Sequence, residues 1–305
     1  MQQQGTVCEF RDGKSWVILS PIEQSIKRKI EVAGTPLKDW NINICRGVLT
    51  GCNDAFIITS EKRDEILFNC KDEDERARTD ALIRPILRGR DIKRYQFDWA
   101  GLYLIATFPS KHYDINDYQS VKHYLLSYGN GHGQELLEQT GATHIIDGKP
   151  IKSRKKTKNK WFETQDSISY WEDLSQPKIL WGEISDKSKF AFDFSGNYFP
   201  EATSFYMQGE YIEFLLCALN SKVSEWFFSK VGTTTGVGTI RWKKYTIERL
   251  VVAKPSKECL NEYVKTFEKL KNKQISNLEF EQHCNDIMCQ LYGLTPEEID
   301  YINNS

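Results

Sequence analysis

Residues 42–59 read Ile-Asn-Ile-Cys-Arg-Gly-Val-Leu-Thr-Gly-Cys-Asn-Asp-Ala-Phe-Ile-Ile-Thr. Ile42, Ile44 and then Val48 bracket polar residues, the alternation of a strand with one face toward a core. Residues 55–59 include a β-branched run and read as a second strand, with a glycine turn through Gly47 and Gly51 between the two. On the downstream side, 60–68 reads as a helix carrying Ile66 and Leu67. On the upstream side, Ser20, Pro21 and Glu23 spell a helix start: a capping hydroxyl, a proline suited to the first position, and a carboxylate that reaches back. Ile22, Ile26 and Ile30 follow four apart, and Gly34-Thr35-Pro36 ends the helix. That apolar face needs a partner.

The rest of the chain continues the mixture. Asp72-Glu73-Asp74-Glu75 reads as a solvated face or loop. Residues 102–108 read as a buried strand ended by Pro109, and 118–128 as a helix broken by Gly129-Asn130-Gly131-His132-Gly133. Asp147-Gly148 marks a hairpin turn. Residues 179–184 and 190–194 read as strands. Leu215, Leu219, Val223, Phe227 and Val231 recur at spacing four, which predicts one long helix over 211–231. A last strand is expected over 248–253, ended by Pro255. The tail, 259–303, is helical in period, and Thr295-Pro296-Glu297-Glu298 starts a short final helix. No repeat and no low-complexity tract interrupts this order.

The 305 residues suit roughly two pieces of about 100–200 residues each. Hydrophobic residues at 40% and charged residues at 27% are enough to build a core, which argues against disorder. No stretch approaches the roughly 18 apolar residues of a membrane helix, and Met1-Gln2-Gln3-Gln4-Gly5 lacks a signal pattern, so a cytoplasmic protein without a membrane partner is expected. The eight cysteines include no Cys-x-x-Cys pair. The cluster His283, Cys284 and Cys289 has no second half at zinc-ligand spacing, so the cysteines read as reduced thiols, mostly buried.

Motifs of catalysis are missing from the reading. There is no Gly-x-x-x-x-Gly-Lys-Ser/Thr loop and no Gly-x-Ser-x-Gly elbow. The glycine-rich run 129–133 completes no nucleotide fingerprint. Asp12-Gly13-Lys14 and Asp147-Gly148-Lys149 read as Asp-Gly turns with a neighbouring lysine rather than as nuclease motifs.

Charge is more telling than its sum. The chain has 41 Lys and Arg against 42 Asp and Glu, a net charge of −1, which argues mildly against a nucleic-acid binder. The cations nevertheless cluster. One cluster holds Arg84, Arg88, Arg90, Lys93 and Arg94. The second holds Lys149, Lys152, Arg154, Lys155, Lys156, Lys158 and Lys160, with no acid inside the run 149–160. The third holds Lys222, Lys230, Arg241, Lys243, Lys244 and Arg249. Acids concentrate over 64–80, 163–213 and the tail, so a neutral total can hide a cationic face suited to phosphates. The second cluster is either a flexible solvated loop or a phosphate-binding one. Trp161 and Phe162 anchor it to a core, and Ser153, Thr157 and Asn159 interleave the cations as phosphate-contacting groups would. The loop 233–239, Thr-Thr-Thr-Gly-Val-Gly-Thr, leads into Arg241-Trp242-Lys243-Lys244; it is either a plain connection or a second such site. In Arg88-Gly89-Arg90-Asp91 the glycine allows a tight turn presenting two guanidiniums, the groups that commonly read guanine.

These stretches resemble a known family. Residues 47–58 are similar to the Gly-Thr-Gly-Asn-Ala-Phe signature of the TaqI-like C-terminal specificity domain, found in type IIG restriction–modification enzymes and related adenine-N6 DNA methyltransferases. The similarity continues through Ile86-Leu87-Arg88-Gly89-Arg90-Asp91-Ile92, through Ser153-Arg154-Lys155-Lys156 to Trp161-Phe162-Glu163-Thr164-Gln165-Asp166, and through Pro177-Lys178-Ile179-Leu180-Trp181-Gly182-Glu183-Ile184. Leu219-Asn220-Ser221-Lys222 and the ending Leu291-Tyr292-Gly293-Leu294-Thr295-Pro296-Glu297-Glu298-Ile299 also resemble the family, so the likeness runs from about Trp16 onward. Such enzymes carry an Asn-Pro-Pro-Tyr/Phe methyltransferase motif upstream and often a nuclease. Asn197-Tyr198-Phe199-Pro200 is the nearest string here and is not that motif. The resemblance therefore implies the recognition portion of a larger enzyme.

The expected fold is α+β, with twisted, mostly antiparallel sheets, flanking helices and a C-terminal helical region. The expected division is an N-terminal helical linker over 1–36, a DNA target-recognition domain over 37–254 and the helical region over 255–305. The candidate DNA-binding residues are Arg46, Thr50, Asn53, Arg88, Arg90, Arg154, Lys155, Lys156, Lys160, Thr234, Thr235, Arg241 and Lys243. No catalytic centre, metal or cofactor is expected in the chain itself; the resemblance implies S-adenosylmethionine in the parent enzyme. The expected partners are double-stranded DNA and a methyltransferase domain in cis or in trans. The alternatives are a separate specificity subunit that docks through the Ile22, Ile26 and Ile30 face, and a complete enzyme of another type.

Overall fold

The computed structural model describes residues 19–231 and 240–305. Asp12-Gly13-Lys14, the loop 233–239 and with it Thr234 and Thr235 lie outside the described residues. The fold is α+β, with helices around small, mostly antiparallel sheets and a helical C-terminal region. The chain divides into two compact units: Met1–Asn43, Ile184–Phe190 and Gly209–Ser305 form one, and Ile44–Glu183 with Ala191–Gln208 forms the other.

In the first unit the helix Pro21–Ala33 starts as its sequence dictates. Ser20 accepts from the Glu23 amide, the Glu23 carboxylate accepts from the Ser20 amide at 2.7 Å, and Pro21 occupies the first turn. Ile26 and Ile30 are fully buried within the unit. Ile22, the third residue of the face expected to dock a methyltransferase chain, is half-buried, so this chain itself covers most of that face. The strand Thr35–Pro36 pairs antiparallel with Val251–Val252, so the strand expected over 248–253 is shorter; the turn of helix Lys244–Ile247 precedes it. The long helix expected over 211–231 is two, Ile212–Asn220 and Lys222–Val231. The break has a side-chain cause. Asn220 turns its amide away to accept from the Phe190 amide at 3.0 Å and donate to the Phe190 carbonyl at 2.9 Å, and Ser221 takes extended backbone. Helices Lys257–Lys271 and Asn277–Leu291 pack with the first of these around Tyr263, whose ring contacts Phe214, Phe267 and Phe280. The last helix, Pro296–Asn303, starts where it was expected, and Thr295 and Glu298 form a capping box there.

The second unit holds two four-stranded sheets. One runs in the order Phe190–Asp193, Lys178–Gly182, Ser204–Gly209, Ile42–Arg46; the other in the order Phe199–Pro200, Ile83–Leu87, Leu102–Ile105, Ile57–Thr59. The short strand Phe199–Pro200 joins its neighbour in parallel, while Leu102–Ile105 is antiparallel to both of its neighbours. The core is built from Phe56, Ile58, Ile86, Leu104, Leu180, Phe199 and Tyr206. The strand expected over 55–59 starts only at Ile57, because Asn53–Phe56 forms a helical turn. The Thr50 hydroxyl accepts from the Cys52 amide, and the Ala55 and Phe56 amides donate to the Cys52 carbonyl, so local bonds start a turn before the β-branched residues take over. The acidic run is no loop. Asp72 caps the helix Glu73–Leu82, and Glu75, 1% exposed, accepts from the Lys71 and Ser120 amides. Burial alone would raise the Glu75 carboxyl; these amides and the Lys71 charge hold it below its ordinary range. The Asp-Gly hairpin is present: strands Thr143–Ile146 and Lys149–Lys152 flank Asp147 and Gly148, both at positive φ.

Candidate nucleic-acid interface

The loop after Ile42–Arg46 sets the geometry. Gly47 donates to the Ser204 carbonyl and Val48 to the Pro200 carbonyl, and a Cβ on Gly47 would sit 2.3 Å from the Glu201 carbonyl oxygen. Only glycine permits that approach. The loop is thereby pressed against residues 200–204, and a chain of polar groups follows. The buried Thr50 hydroxyl donates to Asn53 Oδ1 at 2.6 Å, and Asn53 Nδ2 donates to Glu201 Oε1 at 3.1 Å. The other oxygen of Glu201 accepts from the Thr203 amide at 3.0 Å and from its hydroxyl. Thr203 Oγ1 in turn accepts from the Gly89 amide at 3.4 Å. Arg46 is exposed and donates from Nε to the Ala202 carbonyl at 2.6 Å.

Gly89 also lies against Gly182, where a Cβ on either would come within 3.2 Å of the other's backbone. The turn Gly89–Asp91 is fixed at its two ends by this packing and by Asp91. Asp91, nearly buried, accepts from the Arg88 amide, Nε and Nη2. Its hydrogen bond to Asp91 raises the Arg88 guanidinium's pKa. Burial alone would raise the Asp91 carboxyl, but the Arg88 bonds hold it below its ordinary value. Arg90 between them is exposed. A cleft of about 540 Å³ results, lined by Asn53, Asp54, Ile57, Arg88, Arg90, Leu102, Glu201 and Thr203.

Four of the expected contact residues, Arg46, Asn53, Arg88 and Arg90, thus converge on the segment 201–203. Glu201 and Thr203, which hold them there, carried no signal in the sequence. Two other expected contacts are corrected. Thr50 is buried with its hydroxyl occupied. Arg154 is 5% exposed and donates to the carbonyls of Leu137, Thr50, Glu163 and Trp161, with its guanidinium 4.9 Å from the Phe56 ring centroid. Burial lowers its pKa to about 10, which leaves it a cation at neutral pH. Arg154 knots the loop together from inside, with its guanidinium spent on backbone carbonyls.

The polar residues between the lysines also turn inward. Ser153 is buried, Thr157 donates to Gln139 Oε1 at 2.8 Å, and Asn159 donates to the Thr164 and Gln165 carbonyls. These groups, expected as phosphate contacts, are bonded within the loop and shape it. Buried Gln139, which the sequence did not flag, adds bonds to the Lys160 and Glu163 carbonyls. What the shaped loop presents is Lys155, Lys156, Lys158 and Lys160, all exposed. In the other unit Arg241 is exposed on the strand Ile240–Arg241, opposite Ile184, and the half-buried Lys243 precedes the helix Lys244–Ile247. Among the described residues no group of three or more His, Cys, Asp or Glu side chains is placed to hold a metal, and no helix is long and apolar enough to cross a membrane.

Comparison with known proteins gives this arrangement a family. Residues 84–252 match the TaqI-like C-terminal specificity domain, and the chain belongs to that family. Over 290 residues, 93% of its length, it is 23% identical to the type II methyltransferase M.PaeR7I of Pseudomonas aeruginosa, and it spans 44% of that protein. Its fold is similar to part of the type IIL restriction–modification enzyme MmeI, whose structure was solved in complex with DNA. That match has a TM-score of 0.53 at 11% identity, over 89% of this chain and 37% of that one. The type IIG restriction endonuclease BpuSI aligns with a TM-score of 0.49 at 12% identity, over 91% of this chain and 33% of that one. The chain spans less than half the length of each of these relatives.

Proposed function

We propose that this chain is the DNA target-recognition part of a restriction–modification methyltransferase and that it binds duplex DNA through exposed cations on two fixed loops. The observation that carries the reading is the contrast within each loop. In 88–91 the turn is bonded down and Arg90 stands out. In 153–160 Ser153, Arg154, Thr157 and Asn159 are turned inward and the lysines stand out. Loops pinned from inside hold cations at fixed spacing, as register-setting phosphate contacts require. Arg46, Asn53 and Arg88 flank Arg90 along residues 201–203, and Arg241 and Lys243 are further contacts in the other unit.

The parent enzyme would methylate adenine at N6, as the family resemblance implies, with the methyltransferase domain supplied in cis or in trans. S-adenosylmethionine belongs to that domain in this reading.

The test is a titration of a labelled duplex with the purified chain between about 50 and 200 mM salt. The reading expects the logarithm of the affinity to fall linearly with the logarithm of the salt concentration. Absence of binding at the low end sinks it.

A further inference from the structure

Resting on the DNA-recognition reading, we infer that the hairpin Thr143–Lys152 is a two-stranded ribbon that enters the DNA major groove and reads base edges with its outer face. Its register pairs Thr143 with Lys152, His144 with Ile151, Ile145 with Pro150 and Ile146 with Lys149. Directly opposed residues share a face, so Thr143, Lys152, Ile145 and Pro150 form one face and His144, Ile151, Ile146 and Lys149 the other. The second face is docked along its first strand only, since Ile151 and Lys149 on it are exposed. Ile146 is buried there, and His144 Nε2 lies 2.7 Å from Glu138 Oε1. The first face is exposed at all four positions, with Ile145 71% exposed.

Among the described residues the hairpin's sheet has these two strands and no third, which leaves each strand an edge outside the pairing. Such a ribbon is marginal alone; here Ile146 and the His144–Glu138 contact hold it to the unit. Its charge selects the occupant. Neither strand carries an acid, Asp147 sits in the turn, and Lys149 and Lys152 lead directly into exposed Lys155, Lys156, Lys158 and Lys160. A protein groove matching this apolar strip would leave that row of ammonium groups without partners, whereas duplex DNA supplies phosphates along both lips of the groove. The major groove, about 12 Å wide, admits a two-stranded ribbon. In it, the Thr143 hydroxyl meets a base-edge donor or acceptor, Ile145 meets a thymine methyl group, and the lysines meet the flanking phosphates.

The full chain and its Thr143→Ala/Ile145→Ala variant are each used to select from a randomised duplex pool near 0.1 M salt, with melting curves to verify folding. The inference predicts that the variant retains DNA within about threefold of the parent, because the phosphate contacts remain, but loses at least tenfold of the enrichment at one or two base pairs. Replacing thymine by uracil at those positions should weaken the parent about two- to fivefold and leave the variant unchanged. A variant that enriches the same motif at full stringency overturns the ribbon's role while leaving DNA binding by the chain intact. A parent chain that retains no DNA overturns both readings.

Discussion

Arg88 and Asp91 grip each other through two parallel hydrogen bonds, Nε to Oδ2 at 2.9 Å and Nη2 to Oδ1 at 2.7 Å. The pairing occupies the fork that a guanidinium would use to read guanine, so Arg88 positions the turn and Arg90 is the arm it presents. Arg90→Ala should leave stability within about 0.5 kcal/mol of the parent, as for a surface position, and weaken duplex binding by about 1–3 kcal/mol. Asp91→Asn should destabilise by about 1–3 kcal/mol through loss of a charge-assisted pair. Thermal melts and duplex titrations of both variants check this. Equal effects of the two on binding, at equal stability, would contradict the division of roles.

Arg154 makes the opposite prediction from the one its sequence context invites. Its guanidinium satisfies four backbone carbonyls in the interior. Arg154→Ala should cost more than about 3 kcal/mol by leaving buried acceptors unpaired, and Arg154→Lys should recover little because an ammonium lacks the planar fork. A stable Arg154→Ala protein with weakened DNA binding would return the residue to the interface.

Lys155, Lys156 and Lys160 should act as phosphate contacts alone. Neutralising all three should leave the melting temperature nearly unchanged and reduce the slope of log affinity against log salt by about 2–3, since each phosphate contact contributes about 0.9. An unchanged slope removes that loop from the interface.

Much of this was legible in the residues and some was not, for physical reasons. The capping box at Ser20, the helix start at Thr295 and the Asp147-Gly148 hairpin are local bonds, written in adjacent residues, and they form as read. The break at Asn220 depends on Phe190, thirty residues earlier, and periodicity cannot register it. The same limit governs the site. Arg90 and the lysines were legible as cations, but whether a cation faces inward depends on distant carbonyls. Arg154 was therefore misread, and Glu201, whose partner Asn53 lies far away in the chain, was missed.

Acid should loosen the unit that holds the helices Pro21–Ala33 and Pro296–Asn303. Glu23 binds Lys230, and Glu298 binds Lys29 and Ser25. Burial alone would raise both carboxyls, but these partners and the capping amides of Ser20 and Thr295 hold each at about 2. A folded-state value below the unfolded one gives stabilisation that is complete above the unfolded value of about 4.3 and lost as pH falls toward 2. Glu298→Gln should therefore lower the melting temperature at pH 7, with the gap to the parent narrowing as the pH falls below about 4.3 and closing only below about pH 2. A gap that persists unchanged at low pH would show that the carboxylate charge is not what stabilises this junction.

Selection of a randomised duplex pool by the purified chain near 0.1 M salt, followed by sequencing of the retained DNA, tests the central claim most directly. The account predicts retention with enrichment of a short motif. Failure to retain DNA even when the salt is lowered would contradict it.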